Sequence, residues 1–163
     1  MNENNRLTRM VNRLAPLPST LRHQILTRMI ARVVKLVGTA KVDFLELAPT
    51  RVHVRLKNRS PVQNHIGSVH AAGIALLAET ATGFVVGMSV PDQSVPVIKS
   101  MKIEYKKRAF GDMEAVANLN PDEIAQIRSQ EKGELTVPVI VTDGEGKQPV
   151  LCEMVWAWVP KRR

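Results

Sequence analysis

Across residues 69–88 nearly every side chain is apolar or small, the exceptions being His70, Glu79, Thr80 and Thr82. With Ser68 available as an N-cap, the run predicts one long helix without a solvent face. Such a helix must be wrapped by other elements, and Ala71, Ala72, Gly73, Ala75, Ala78, Ala81, Gly83 and Gly87 are small enough to let neighbouring backbones come close. A sheet on one side and a second subunit on the other is the expected cover. A membrane span is disfavoured: a carboxylate sits at the centre, three glycines interrupt the run, and no anchoring residues flank it.

On both sides of this helix the period becomes two. Residues 41–48 and 51–57 read as strands joined at Pro49-Thr50, with Val52, Val54 and Leu56 alternating against Arg51, His53, Arg55 and Lys57, so His53 belongs to the wet face. After a turn at Pro91-Asp92-Gln93, residues 95–107 form a long strand. Val97, Lys99, Met101, Ile103 and Tyr105 fall on one face and Ile98, Ser100, Lys102, Glu104, Lys106 and Arg108 on the other. Lys99 thus lies on the apolar side, either snorkelling at the strand end or meeting Glu79 or a substrate phosphate. A strand over residues 112–119 leads into Asn120-Pro121-Asp122-Glu123, a capping box with proline at N1, and a short helix ending near Lys132-Gly133. Leu135, Val137, Val139 and Val141 alternate in the next strand, residues 143–146 turn, and residues 149–159 return antiparallel, with Trp156 and Trp158 on one face covering core or acyl pocket. The basic tail Lys161-Arg162-Arg163 is expected to fray.

Ahead of the strands lies an arm with helical period. Leu7, Met10, Val11 and Leu14 are spaced i, i+3, i+4 and i+7 before Pro16 and Pro18 break the chain. A second helix over residues 20–37 has Ser19 as N-cap, Leu21, Ile25, Met29, Val33 and Leu36 as its apolar stripe, and Gly38 as its end. The chain divides accordingly into a helical arm, residues 1–40, and a domain of α+β class, residues 41–163, in which five to six antiparallel strands wrap one long central helix.

Charge separates the same two parts. Of the net charge of +8, residues 1–41 hold eight basic side chains against Glu3 alone, leaving 15 basic and 14 acidic side chains for the rest. A basic amphipathic arm packs on its domain with solvated arginines, lies on an anionic membrane surface, or binds an acidic partner. Packing is the simplest of these. A specific nucleic-acid role is not expected, since aromatics make up only 4% of the chain and none is interleaved with the arginines to stack bases. The single Cys152 excludes an intramolecular disulfide, and its apolar strand makes it a buried thiol rather than a nucleophile. With no signal-peptide pattern in the first ten residues, a reducing cytoplasm is the expected compartment. No Cys/His spacing suggests a metal, and no glycine-rich phosphate loop suggests a nucleotide cofactor, so none is expected.

Chemistry centres on Glu79. An ionised carboxylate in an apolar helix is costly unless paired, so Glu79 is either satisfied structurally or retained because a reaction needs it. Asn64 and His70 stand just before and at the start of the helix, where free backbone N–H groups and the positive dipole end favour developing negative charge. His70 and Glu79 are separated by about 900° of turn and roughly 13 Å of rise, so they project to opposite sides. If they act together, Glu79 of one subunit faces Asn64 and His70 of another, which requires a two-fold dimer.

The spacing Asn64, Gly67, His70 and then Glu79 resembles the N-x-x-G-x-x-H-G-G…D/E signature of hotdog-fold thioesterases, in the branch of phenylacetyl-CoA and 4-hydroxybenzoyl-CoA thioesterases. Tyr105-Lys106-Lys107-Arg108-Ala109-Phe110-Gly111-Asp112 is similar to the Y-x-x-P-A-x-x-G-D segment of that superfamily, shortened by one residue. The likeness spans roughly residues 51–158 and is closest to a bacterial hotdog group of unassigned function. It implies a hotdog fold with the arm as an addition, and an acyl-CoA or acyl carrier protein thioester as substrate. The active site would lie at a homodimer interface, with a dimer of dimers also open. By position it implies Glu79 as general base or nucleophile, Asn64 orienting water or substrate, and His70 near the carbonyl.

Gly67, Ala71, Ala72 and Gly73 would line the substrate, with Lys99, Ser100 and Arg108 further candidates. Ser100 sits two positions out of register from the family's strand hydroxyl. Lys102, Lys106, Lys107 and Arg108 form a basic stretch suited to coenzyme A phosphates or simply to a solvated strand face. One departure matters: His70 is followed by Ala71-Ala72-Gly73 instead of Gly-Gly, which crowds the amide that polarises the carbonyl. Two rival readings stay open, a hydroxyacyl dehydratase or hydratase on the same scaffold and a non-catalytic acyl-CoA or lipid-binding protein.

Overall fold

The computed structural model describes residues 5–161; the expectation for the tail at Arg162 and Arg163 lies outside them. Three helices come first: α1 (Arg6–Arg13), α2 (Ser19–Val33) and α3 (Lys35–Ala40). They are followed by β1 (Asp43–Ala48), β2 (Arg51–Leu56), the long helix α4 (Ala71–Gly87), β3 (Ser94–Tyr105), β4 (Met113–Asn118), α5 (Pro121–Ser129), β5 (Gly133–Val137), β6 (Val139–Thr142) and β7 (Val150–Pro160). All strand pairs are antiparallel. One sheet runs β1-β2-β4-β6 and the other β3-β7-β5.

The chain crosses between the two sheets several times, and at one crossing a single residue separates the strands. The strand expected through Leu135, Val137, Val139 and Val141 is cut at Pro138, so that β5 pairs with β7 while β6 pairs with β4. Proline has no N–H to give a ladder, and the chain passes at that residue from one sheet to the other. This raises the strand number to seven and curls the sheets around α4, a hotdog architecture. Val52, Val54 and Leu56 of β2, Met113, Ala115 and Ala117 of β4, and Met154, Trp156 and Trp158 of β7 form the buried wall, with Ile74, Leu77, Ala78, Ala81 and Val85 of α4 packed into it.

Small residues set how close that contact is. A Cβ on Gly83 would stand 2.6 Å from the Trp156 ring, whose Nε1–H donates to Thr82 Oγ1 at 2.8 Å; Thr82 in turn donates to the Ala78 carbonyl. Both tryptophans are core residues, Trp158 donating its indole N–H to the Gln130 carbonyl at 3.0 Å. On the far side of the first sheet the polar side chains pair: His53 with Glu114 at 2.7 Å, Arg51 with Glu46 at 2.9 Å, and Arg55 with Asp43 at 3.2 Å.

Several sequence expectations change. The long helix begins at Ala71, with His70 as N-cap in place of Ser68, because Ser68 and Val69 are still held in the preceding loop. In β3 the register shifts between Ile98 and Ser100, so one extra residue, Lys99, is accommodated and the faces exchange there. Ile98, Met101, Ile103 and Tyr105 oppose Trp156, Met154, Cys152 and Val150 on the helix side, whereas Ser100 opposes Val155 on the outer face. The arm helix expected over residues 20–37 breaks at the extended residue Val34. Its buried side chains are Leu26, Ile30, Val37 and Ala40; Leu21, Val33 and Leu36 of the expected stripe are exposed. Gly38 lies inside α3, and the turn falls at Lys41 in left-handed backbone. Other elements follow the sequence closely: Asn120 and Glu123 exchange both capping-box bonds at 2.8 and 2.9 Å.

Gly83→Ala tests the closeness of α4 to β7. Alanine would gain about 1 kcal/mol of helix propensity, but crowding a packed core costs about 1–3 kcal/mol. The expected result is a lower urea midpoint at unchanged slope; a raised midpoint would show that Trp156 yields.

Candidate active site at the start and middle of the central helix

Residues 58–70 build the start of α4. Asn64 Oδ1 accepts from the Ile66 and Ser68 N–H groups, both at 3.1 Å, and the backbone closes with Asn64 N to Ser68 O at 2.9 Å and Gly67 N to Asn64 O at 3.1 Å. Gly67 sits at φ +74°, a region a side chain would strain. The oxygen of Asn64 is therefore spent on its own turn. Among the described residues its Nδ2 has no partner, so what Asn64 offers a ligand is a donor.

His70 is similarly committed. Its Nδ1 accepts from the Ala72 N–H at 3.0 Å, which places the neutral ring's proton on Nε2. The Gly73 and Ile74 N–H groups bond to the His70 carbonyl at 2.8 and 3.1 Å. Of the three first-turn amides considered for substrate, Ala72 and Gly73 are thus occupied. Ala71 N–H is the one left without an acceptor among the described residues, and it sits at the positive end of α4.

Two residues brace this end. Tyr105, at the end of β3, donates its hydroxyl to the Ala71 carbonyl at 2.7 Å, and burial pushes its own ionisation up, keeping it a donor. The family-like segment contains Tyr105 without implying a role for it; the reach of a phenol at a strand end is the sequence feature that points to one. Arg108 donates to the Ile66 carbonyl at 2.8 Å and to Ser68 Oγ at 3.3 Å, and lies over the Phe110 ring. Its guanidinium holds the loop that carries Asn64.

Glu79 stands about two turns along α4. With Ala72, Ala75 and Leu76 it forms the stripe of the helix that the two sheets leave open. Burial raises its carboxyl above the ordinary value of 4.5; the Thr80 hydroxyl beside it pulls the other way, though Thr80 Oγ1 makes no hydrogen bond of ordinary geometry. No ion pair involves Glu79 among the described residues. Burial is the stronger influence.

Lys99 and Ser100 do not join this group. Lys99 is the residue taken up by the bulge, and its ammonium pairs on the surface with Glu134 of β5, so it neither snorkels nor meets Glu79. Ser100 faces outward. A cleft of about 830 Å3 between α1 and α5, bordered by Asn5, Arg9, Ser89, Asp92 and Arg128, lies at the opposite end of α4 from His70. No group of three or more metal-ligating side chains is gathered among the described residues. Cys152 is half-buried, and burial holds its thiol above the ordinary value.

The model of a domain of unknown function, DUF4442, matches residues 22–159. The chain belongs to that family. No curated protein matches the sequence significantly. Among solved structures, the DUF4442 chain is similar to a Pseudomonas aeruginosa protein of unknown function described as a probable thioesterase. That match has 24% identity and a TM-score of 0.74, covering 89% of this chain and 97% of the other. A thioesterase family protein from Silicibacter pomeroyi is 12% identical with a TM-score of 0.64, covering 83% and 96%. A thioesterase from Haemophilus influenzae is 11% identical with a TM-score of 0.60, covering 77% and 82%. At these identities the shared property is the fold, the hotdog of thioesterase-like proteins.

The raised Glu79 carboxyl makes stability pH-dependent. A native value above the unfolded 4.5 means the folded chain binds the proton more tightly. The resulting stabilisation is full below that value and is lost as pH rises through the native one. Urea unfolding of wild type and Glu79→Gln across that interval is expected to show wild type losing ground as pH rises. A constant difference would mean that a cation compensates the buried charge.

Proposed function

We propose that this DUF4442 chain hydrolyses acyl-CoA or acyl carrier protein thioesters in the cytoplasm, as a homodimer whose active site is shared between subunits. The observation that carries the reading is Glu79: a half-buried, unpaired carboxylate with a raised pKa on the open stripe of an otherwise sealed helix. A general base works best with a pKa near the working pH, and burial moves Glu79 in that direction.

The dimer follows from the same stripe. β3 is an edge strand of 12 residues, paired on one side only with β7, and Met101 and Tyr105 on its helix side stay about half exposed. Unpaired edges of this length are normally covered. Pairing two β3 strands about a two-fold axis would bring the open stripe of one α4 against the other subunit. Glu79 of one copy would then face Ala71, His70 and Asn64 of the other.

In that arrangement Glu79 takes a proton from water as the water oxygen attacks the thioester carbonyl carbon. The Ala71 N–H, with Asn64 Nδ2 and His70 Nε2 as further donors, receives the oxyanion. Collapse of the tetrahedral intermediate breaks the C–S bond, and the proton held by Glu79 passes to the departing thiolate, giving a carboxylic acid and a free thiol. The phenylacetyl-CoA thioesterase-like branch is the assignment the Asn64, Gly67, His70 and Glu79 spacing supports best.

One observation favours a second reading. The Ala72 amide is taken by His70 and the Gly-Gly pair is absent, so a protein that binds acyl-CoA without turnover is the alternative.

Thiol release from short, long and aromatic acyl-CoAs is the test. Wild type is expected to turn over at least one class, with Glu79→Gln slower by about 10²–10⁴. Binding without release selects the alternative. A monomer by light scattering would defeat the shared site.

A further inference from the structure

The arm packs on the domain along only part of its apolar surface. Leu26 and Ile30 are buried against β1, where Thr27 Oγ1 accepts the Phe44 N–H at 2.9 Å. At the junction of α2 and α3 the extended residue Val34 turns the chain and leaves three apolar side chains in the open: Val33 is 80% exposed, Leu36 62% and Val34 36%. Packing on the domain does not account for them. Together they form an exposed apolar corner where α2 meets α3.

Cations surround that corner. Arg28 and Arg32 continue along the exposed side of α2, Lys35 lies between Val34 and Leu36, and Lys41 follows at the end of α3. Among the described residues, none of Arg28, Arg32 or Lys35 has an acidic partner; Lys35 caps the Arg32 carbonyl instead. No acidic residue occurs between positions 5 and 42.

We propose that the α2–α3 corner docks this protein on an anionic lipid surface, with Val33, Val34 and Leu36 entering the acyl boundary and Arg28, Arg32 and Lys35 meeting the headgroup charge. Apolar side chains flanked by unpaired cations match a bilayer interface, where negative charge lies directly above hydrocarbon. A second copy of the chain fits less well. A two-fold contact would set each corner's cations against the same cations of its partner. The corner is also tied to the site. Arg59 donates to the Ala40 carbonyl at 2.6 Å, and its neighbour Asn58 donates to the Gly67 carbonyl at 3.0 Å, so docking would hold the loop bearing Asn64 near the lipid.

The experiment is co-sedimentation of the full chain with vesicles of phosphatidylcholine alone or doped with phosphatidylglycerol. It reads binding and stands apart from any turnover. Wild type is expected to sediment with the anionic vesicles only, less so at high salt. Val33→Glu with Leu36→Glu, and separately Arg32→Glu with Lys35→Glu, are expected to lower binding about tenfold or more. Because these side chains are exposed, both double variants should keep the wild-type thermal midpoint. The proposal is overturned if anionic vesicles do not bind, or if neither double variant weakens binding. It is also overturned if retention on immobilised acyl carrier protein, lost in Arg32→Glu with Lys35→Glu, appears without vesicle binding. A corner that serves self-association would show by light scattering as an oligomer lost in the Val33→Glu and Leu36→Glu variant without vesicle binding, which overturns it as well.

Discussion

The fit of α4 into the curled sheets governs the rest of the molecule. A helix as apolar and as small-sided as this one gains stability only where other apolar atoms reach it, and close packing needs them within van der Waals contact on every side. Gly83 against Trp156 shows how tight that contact is along β7. The two sheets nevertheless cannot surround a cylinder. The uncovered remainder runs through Ala72, Leu76 and Glu79, and so the one carboxylate of the helix lies where the fold is unfinished.

That placement explains why the start of α4 is so heavily braced. Asn64 closes its own turn, His70 caps the helix with Nδ1, Tyr105 reaches from β3 to Ala71, and Arg108 ties down Ile66 and Ser68. Each bond fixes a loop that would otherwise carry unsatisfied backbone groups next to an open stripe. The cost is that groups suited to a substrate are spent on structure: the Asn64 oxygen, the His70 Nδ1 lone pair and the Ala72 amide. Part of the hydrogen-bonding capacity of Asn64, His70 and Ala72 is thus turned inward.

Edges and corners follow the same logic. The backbone of β3 and the side chains of Val33 and Leu36 are both left without cover by a chain that is otherwise well packed, but they differ in chemistry. The strand presents backbone donors and acceptors, which suit another strand. The corner presents aliphatic side chains among cations, which suit lipid.

The sequence by itself determined the long central helix, the alternating strands on either side, the Asn120–Glu123 cap and the isolation of Glu79, because each rests on local periodicity or on side-chain chemistry within a few residues. It also carried the spacing of Asn64, Gly67, His70 and Glu79. Only the tertiary structure decided which way side chains turn once periodicity is interrupted. A bulge at Lys99 exchanged the faces of β3 and turned Ser100 outward, a break at Val34 put Val33 and Leu36 outside, and Pro138 divided one expected strand between two sheets. A single inserted residue or a single missing N–H shifts the phase of everything beyond it, and where such an interruption falls depends on the partner strand or helix that receives the chain.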